Sequence, residues 1–242
     1  MTKAIIFDVD GTLSETEETH RQAFNRAFKH QGFLWHWDRP TYRRLLLVTG
    51  GKERIRHFAE QDDAMRLLAP DFDEFVRELH RKKTSIYTSM IADGAASLRP
   101  GIRELILEAE DNGYRLAIST TTSAANVEAL LLSAFGREGT AKFEVICGGD
   151  SVANKKPAPD IYLLTLEQLG LRPEDCIAIE DSRNGLLSAH RAGIPTVVTP
   201  SIYTDDQNFD EAAWVVDDLR NVGLIELIEN VRKSMAATRR TA

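Results

Sequence analysis

The chain begins with a short apolar run, Ala4-Ile5-Ile6-Phe7, that stops abruptly at Asp8-Val9-Asp10-Gly11. An unbroken apolar run of this length predicts a strand over 3–8 buried on both faces, as in a parallel sheet, and Gly11 supplies the turn that ends it. The pattern then changes period. Glu15, Glu17 and Glu18 form an acidic first turn, and His20, Ala23, Phe24, Ala27 and Phe28 follow at helical spacing. Helical patterning persists to about Ala92. It includes a loop at Thr49-Gly50-Gly51, a helix over 52–60 and a long amphipathic helix over 71–90 that carries Phe72, Phe75, Val76 and Leu79. From Leu98-Arg99-Pro100-Gly101 onward, helices and strands alternate: helix 102–112, strand 115–119, helix 123–134, strand 143–147, helix 159–169, strand 176–179, helix 183–191 and strand 195–198. Residues 213–216 read as one more short strand and 222–235 as a closing helix. There are no internal repeats or low-complexity segments.

Alternation of this kind implies an α/β fold, a Rossmann-like doubly wound parallel sheet with helices on both faces. The first strand is separated from the rest of that sheet by roughly eighty helical residues, whereas connecting loops beyond about 15 residues are uncommon. Residues 15–92 are therefore read as a helical cap domain inserted into an α/β core of residues 1–14 and 93–242. Leu13-Ser14-Glu15 and Ala92-Asp93-Gly94 are the two linkers.

Composition narrows the range of partners. At 242 residues the chain lies near the size where one core begins to split into two. A net charge of −7 argues against general binding to nucleic acid or to an anionic membrane, both of which require many Lys and Arg against phosphates. A small phosphorylated ligand needs only a local positive pocket. No apolar run is long enough to span a bilayer, and the first strand starts without a leader, so a cytoplasmic protein is expected, and separately a monomer. Cys147 and Cys176 lie in apolar runs with no metal-type spacing and read as buried free thiols.

The candidate chemistry sits at strand ends. Asp8 and Asp10 are two apart in extended chain, so both carboxylates face one pocket at the carboxyl edge of the sheet, where open α/β sheets bind ligands. Two like charges this close repel unless a cation joins them, and Mg²⁺ resolves the conflict while leaving one oxygen free to attack phosphorus. A lone Asp-x-Asp-Gly is equally a turn. Ser119-Thr120-Thr121-Thr122-Ser123 follows a strand and starts a helix, offering hydroxyls and amides to an anion, although helix capping explains any one of them. Asn154-Lys155-Lys156-Pro157-Ala158-Pro159-Asp160 holds a Lys before a Pro-punctuated turn. Ala178-Ile179-Glu180-Asp181-Ser182 again ends an apolar strand in acids, which a buried strand does not tolerate without a partner.

Taken together, Asp-Val-Asp-Gly-Thr-Leu, the Thr120 run, Lys-Pro-Ala-Pro-Asp and Ile-Glu-Asp-Ser resemble, in order, the four motifs of the haloacid dehalogenase superfamily of Asp-nucleophile phosphohydrolases. The resemblance implies that Asp8 is the nucleophile and Asp10 the general acid/base. It implies that Thr120 hydrogen-bonds the transferring phosphoryl group and that Lys156 neutralises it. Asp8, Asp10 through its backbone carbonyl, Glu180 and Asp181 would hold Mg²⁺, with Asn184 and Gly185 in support. An insertion after the first strand marks the superfamily members whose helical cap closes over the site.

Within the cap, Arg39, Arg43, Arg44, Lys52, Arg54 and Arg56 meet only Glu53 between residues 39 and 56, and His80, Arg81, Lys82 and Lys83 cluster later. Thr49-Gly50-Gly51-Lys52-Glu53-Arg54 is a Gly loop opening a helix, suited to clamp a second phosphate. This loop resembles the specificity loop of the β-phosphoglucomutase and CbbY branch, with Lys52 where the mutase carries Arg. His20 also matches that branch. Glu17 and Tyr42 are expected to meet the sugar hydroxyls, Gly50, Gly51, Lys52, His80 and Arg81 its distal phosphate, and His20, Thr121 and Thr122 also to bind the substrate. The whole chain is most similar to CbbY-type phosphatases associated with carbon-fixation genes, which remove the 1-phosphate of xylulose 1,5-bisphosphate, an inhibitor of Rubisco. The alternatives are a phosphohexomutase, which returns the phosphoryl group to sugar rather than water, and a non-catalytic sugar-phosphate sensor. A sensor has no need of both aspartates beside Lys156, Glu180 and Asp181.

Overall fold

The computed structural model describes residues 2–61 and 71–241, so residues 62–70 of the predicted helical region lie outside it. Strand β1 (Ala4–Phe7) is wholly buried, as its unbroken apolar sequence requires. The chain next forms α1 (Glu17–His30), α2 (Arg39–Leu45), α3 (Gly51–Ala59) and α4 (Phe72–Ala92), with no strand among the described residues of this stretch. Asp38 caps α2 by accepting a hydrogen bond from the Thr41 amide at 2.8 Å, and Pro40 occupies its first turn. Phe24, Phe28, Trp37, Tyr42, Ile55, Val76 and Leu79 pack into a core for these helices, and Tyr203, from far along the chain, joins it.

The remaining chain alternates α5 (Ile102–Asp111), β2 (Arg115–Ser119), α6 (Ala124–Phe135), β3 (Val145–Cys147), α7 (Asp160–Leu169), β4 (Cys176–Glu180), α8 (Arg183–Arg191), β5 (Thr196–Val198), β6 (Trp214–Val215) and α9 (Leu224–Thr241). All six strands are parallel, in the order β3-β2-β1-β4-β5-β6. Ile5 pairs in register with Leu116 on one side and Ile177 on the other. Alternate residues of β1 serve opposite layers. Ile5 and Phe7 pack with α5, α6 and α9, while Ala4 and Ile6 pack with α7 and α8. Burying each large apolar side chain contributes about 1.5–3 kcal/mol.

The strand predicted over 143–147 is shorter, because a 3-10 turn at Thr140–Lys142 ends with the Phe143 amide bonded to the Thr140 carbonyl. Cys147 and Cys176 are buried free thiols. No helix among the described residues is long and apolar enough to cross a membrane. The strand order reverses between β1 and β4, and in doubly wound sheets the crevice outside the carboxyl ends at such a point receives ligands. Asp8 follows β1 directly, and Glu180 ends β4.

Candidate active site

A cavity of ≈ 290 Å³ opens at this crevice, walled on one side by Asp8, Asp10, Thr120, Lys156 and Asp181 and on the other by side chains from α1, α3 and α4. Lys156 is buried and donates to Asp8 Oδ1 at 2.6 Å, to Glu180 Oε1 at 2.6 Å and to the Ser119 carbonyl at 2.9 Å. Three acceptors for three ammonium protons fix its position. Lysine burial alone favours the neutral amine, but the Asp8 and Glu180 charges outweigh it and hold Lys156 protonated. Tyr162 also donates to Glu180 Oε1 at 2.6 Å. The Thr120 amide bonds the Cys147 carbonyl, and its Oγ1 accepts from the Thr122 amide at 3.2 Å, which leaves the hydroxyl proton free for an acceptor in the cavity.

Asp8, Glu180 and Asp181 are all buried, and each offers a carboxylate oxygen within 4.8 Å of the others. The Lys156 ammonium pairs with two of these three carboxylates, Asp8 and Glu180. Burial, reinforced by Glu180 and Asp10 against the pull of Lys156, pushes Asp8 up to about 8. Burial and the charges of Asp8 and Glu180 push Asp181 well above the carboxylate range. Glu180 Oε2 is buried without a hydrogen-bond partner. A Cβ built on Gly185 would lie 1.8 Å from that oxygen, so only glycine fits there. Similarly, Gly11, at φ +85°, has no room for a Cβ beside Asp181 Oδ2. Hard oxygen donors, an orphaned buried carboxylate oxygen and uncompensated negative charge are what a Mg²⁺ ion requires, so these residues fit it.

A pH dependence follows from this. In the cation-free protein Asp8 and Asp181 hold protons more tightly than in the unfolded chain, so the stability this pair contributes is fullest below about pH 4 and declines as pH rises through the folded Asp8 value of about 8. The contribution of this cluster to the thermal midpoint should fall between about pH 5 and pH 8. Added Mg²⁺ should raise the midpoint more at the higher pH, where its ligands are ionised. An Mg²⁺ shift equal at both pH values would place the ion elsewhere.

Asp10 lines the same cavity but lies outside this cluster. Its Oδ1 accepts from Thr16 Oγ1 at 2.5 Å and meets His20 Nε2 at 2.8 Å, while Lys83 donates to His20 Nδ1 on the far side of the ring. A donor at Nδ1 fixes the tautomer, so Nε2–H points at Asp10. Burial alone would raise Asp10, but His20, Thr16 and Lys83 together hold it below the usual carboxylate range. Burial and Lys83 push His20 down, and burial pulls Lys83 down to about 7. The buried ammonium lies 4.8 Å from the Phe24 ring centroid and 4.9 Å from that of Tyr87, which stacks on His20.

Of the residues expected to meet substrate, Glu17, His20, Gly50, Gly51, His80, Thr121 and Thr122 line the cavity. Three others do not. Lys52 pairs with Asp150 at 2.6 Å because the helix starts at Gly51, which turns its first-turn side chain outward. Arg81 is exposed and lies 3.7 Å from Glu74 on its own helix. Tyr42 is fully buried behind the wall, donating to Glu17 Oε2 at 2.7 Å and accepting from Arg54 at 3.1 Å. In place of Lys52, the structure brings Arg54 to the cavity, two residues further along α3 on its buried face. Lys83, which the sequence presents only as one of a basic cluster, also lines the cavity. Its signal is the stripe Val76, Leu79, Lys83, Tyr87, Met90, in which a lysine occupies a core position at helical spacing. Asn184 ties the start of α8 to the loop before Gly50, donating to Thr49 Oγ1 at 2.9 Å and to the Leu47 carbonyl at 3.2 Å. Lys155 binds the Gly149 and Val152 carbonyls and so anchors the loop that carries Asp150.

Known proteins resemble this chain in sequence and in fold. The sequence model of the haloacid dehalogenase-like hydrolases matches residues 5–199. Protein CbbY of Rhodobacter capsulatus is 51% identical over 217 residues, covering 90% of this chain and 93% of that protein. The crystal structure of CbbY from Rhodobacter sphaeroides in complex with phosphate superposes with a TM-score of 0.88 at 47% identity, covering 94% of this chain and 100% of that one. A variant of the same protein in complex with xylulose-(1,5)bisphosphate gives a TM-score of 0.87 at 47% identity, covering 94% and 99%. Because the matched span runs from β1 to the end of β5, and so includes every strand end that faces the cavity, the chain belongs to the haloacid dehalogenase-like hydrolases.

Proposed function

We propose that the protein is a Mg²⁺-dependent sugar-bisphosphate phosphatase, and that its substrate is xylulose 1,5-bisphosphate, hydrolysed to xylulose 5-phosphate and inorganic phosphate. The observation that carries this reading is the pairing, in one cavity, of an Asp8–Lys156–Asp181 floor with a second set of basic side chains, Arg54 and Lys83, from the helices above. One phosphate meets the floor. The other end of a small sugar, if phosphorylated, finds positive charge on the opposite wall. The complex of the R. sphaeroides relative with xylulose-(1,5)bisphosphate supports the same choice.

The chemistry proceeds in two steps. An Asp8 carboxylate oxygen attacks phosphorus, the bond from phosphorus to the sugar oxygen breaks, and Asp10 gives that oxygen its proton. Water then attacks the aspartyl phosphate, its proton passes to Asp10, and the phosphorus–Asp8 bond breaks. Asp10 starts ionised, and an incoming phosphate dianion beside it raises its proton affinity, which couples protonation to substrate binding. Lys156 and the Thr120 hydroxyl neutralise the phosphoryl oxygens throughout. The Asp8, Glu180 and Asp181 carboxylates and the Asp10 backbone carbonyl would hold Mg²⁺, which would supply the charge neutralisation that keeps Asp8 ionised at neutral pH. Residues 15–92 act as a cap on the core of 1–14 and 93–242, and closure of this cap excludes water from the site.

Incubation with xylulose 1,5-bisphosphate and Mg²⁺ should release inorganic phosphate. The kcat/KM should be at least about tenfold above that for a monophosphate of the same sugar, the value of one charge-assisted contact. An isomerised sugar phosphate with no free phosphate would identify a mutase instead.

A further inference from the structure

Arg99 has no place in the reaction above, yet it is the most fully bonded side chain near it. It is 8% exposed, its two terminal nitrogens donate four hydrogen bonds, and its Nε joins an ion pair. Nε lies 3.2 Å from Glu15 Oε1. One terminal nitrogen donates to the Gly11 carbonyl and, at 2.6 Å, to the Thr199 carbonyl. The other donates to the carbonyls of Pro200 at 2.8 Å and Asp217 at 3.3 Å. A cation this deep is tolerated only when every donor is satisfied, and a planar five-donor fork is the only side chain that reaches so many acceptors at once. The Arg99 amide itself donates to the Leu13 carbonyl at 2.8 Å.

The acceptors are not scattered. Gly11 directly follows Asp10 and is packed so closely on Asp181 that a Cβ there would lie 2.2 Å from Asp181 Oδ2. Thr199 and Pro200 lead into the loop whose Thr204 donates to the Asp181 carbonyl at 2.7 Å. Arg99 thus fastens the two backbone segments that flank Asp181, one of them the turn that carries Asp10. We infer that Arg99 is a positioning residue, which holds the Gly11 turn and the 199–204 loop at the spacing the nucleophile, acid/base and cation ligands require. A misplacement of about 1 Å in such a constellation costs about 10²-fold in rate. This inference rests on the phosphatase reading.

The test uses Arg99→Lys, which keeps charge and stem but puts its donors on one nitrogen, and Glu15→Gln, which removes only the ion pair. The kcat and KM are measured per folded molecule for a sugar bisphosphate and for p-nitrophenyl phosphate, together with the Mg²⁺-induced rise in thermal midpoint, which needs no turnover. In Arg99→Lys, kcat should fall about 10- to 100-fold on both substrates with KM within about threefold, and the Mg²⁺-induced rise should shrink by about half. Glu15→Gln should keep kcat within about threefold. Retention of kcat and of the Mg²⁺ response in Arg99→Lys would make Arg99 a stability residue only and overturn the inference. A loss confined to the bisphosphate would also overturn it, since Arg99 would then act on the helical segment rather than on the turn. If Arg99→Lys does not fold, Arg99→Gln takes the same measurements, and failure of both to fold overturns the inference too. If the unsubstituted protein releases no phosphate from either substrate, the phosphatase reading fails by itself, and the Mg²⁺ response still decides the role of Arg99.

Discussion

Replacing Asp8 by Asn is expected to reduce phosphate release by more than about 10³-fold while leaving the cation-free fold at least as stable at neutral pH. The amide keeps the shape of the carboxylate and an oxygen for Lys156, now 2.6 Å from Asp8 Oδ1. It cannot form the acyl phosphate through an anionic oxygen. Stability is retained for a separate reason. Asp8 is pushed up to about 8, with Glu180 and Asp10 adding to the effect of burial, so its ionised form is disfavoured in the folded state. Removing that charge relieves the repulsion on Asp181, of which Asp8 is the largest charged source. The measurement is phosphate release alongside the thermal midpoint in a chelator. Retention of more than roughly a few per cent of activity would place the nucleophile elsewhere.

Lys156→Met should affect both stability and activity. The methionine fills much the same volume but leaves Asp8 and Glu180 buried without their shared cation. Breaking a buried ion pair from one side typically costs about 3–5 kcal/mol of stability, and denaturant unfolding should show a loss of that size. Activity should fall at least about 10²-fold, because the charge opposite the phosphoryl oxygens is gone. The control is the double substitution Lys156→Met with Glu180→Gln, which should recover much of the stability and none of the activity. Recovery of activity would mean that Lys156 serves the fold alone.

The strand ends were legible in the sequence because a carboxylate closing an apolar run is an unusual expense that a fold does not repeat without cause. Asp8 and the Glu180-Asp181 pair declare themselves this way, and parallel pairing of β1 with β4 at the register Phe7–Ile179 brings them to the same edge. The helical side of the cavity was less legible. Lys52 and Arg54 are two residues apart in one basic run, and which of them faces inward depends on helix phase, set by where α3 starts and by the helices it packs against. In the sequence, the Tyr42 hydroxyl stands out as a donor for a sugar. That hydroxyl is bonded to Glu17 and Arg54 behind the cavity wall, an arrangement between distant segments that no local pattern encodes. Lys83 was hidden for the opposite reason: it sits in a run of basic residues, where its neighbours Arg81 and Lys82 are exposed and only its place on the apolar stripe distinguishes it.

The partners of Asp10 are drawn unevenly from the chain. Thr16 and His20 come 6 and 10 residues after it, whereas Lys83, which fixes the His20 tautomer, lies 63 residues beyond His20. This separation limits how chimaeras of the protein can be built. A crossover placed before Thr16, with a second after Ala92, would move His20 and Lys83 together and preserve the proton geometry at Asp10. A crossover between His20 and Lys83 would pair a histidine from one parent with a helix from another, and such recombinants should be impaired even when every residue at the strand ends is unchanged.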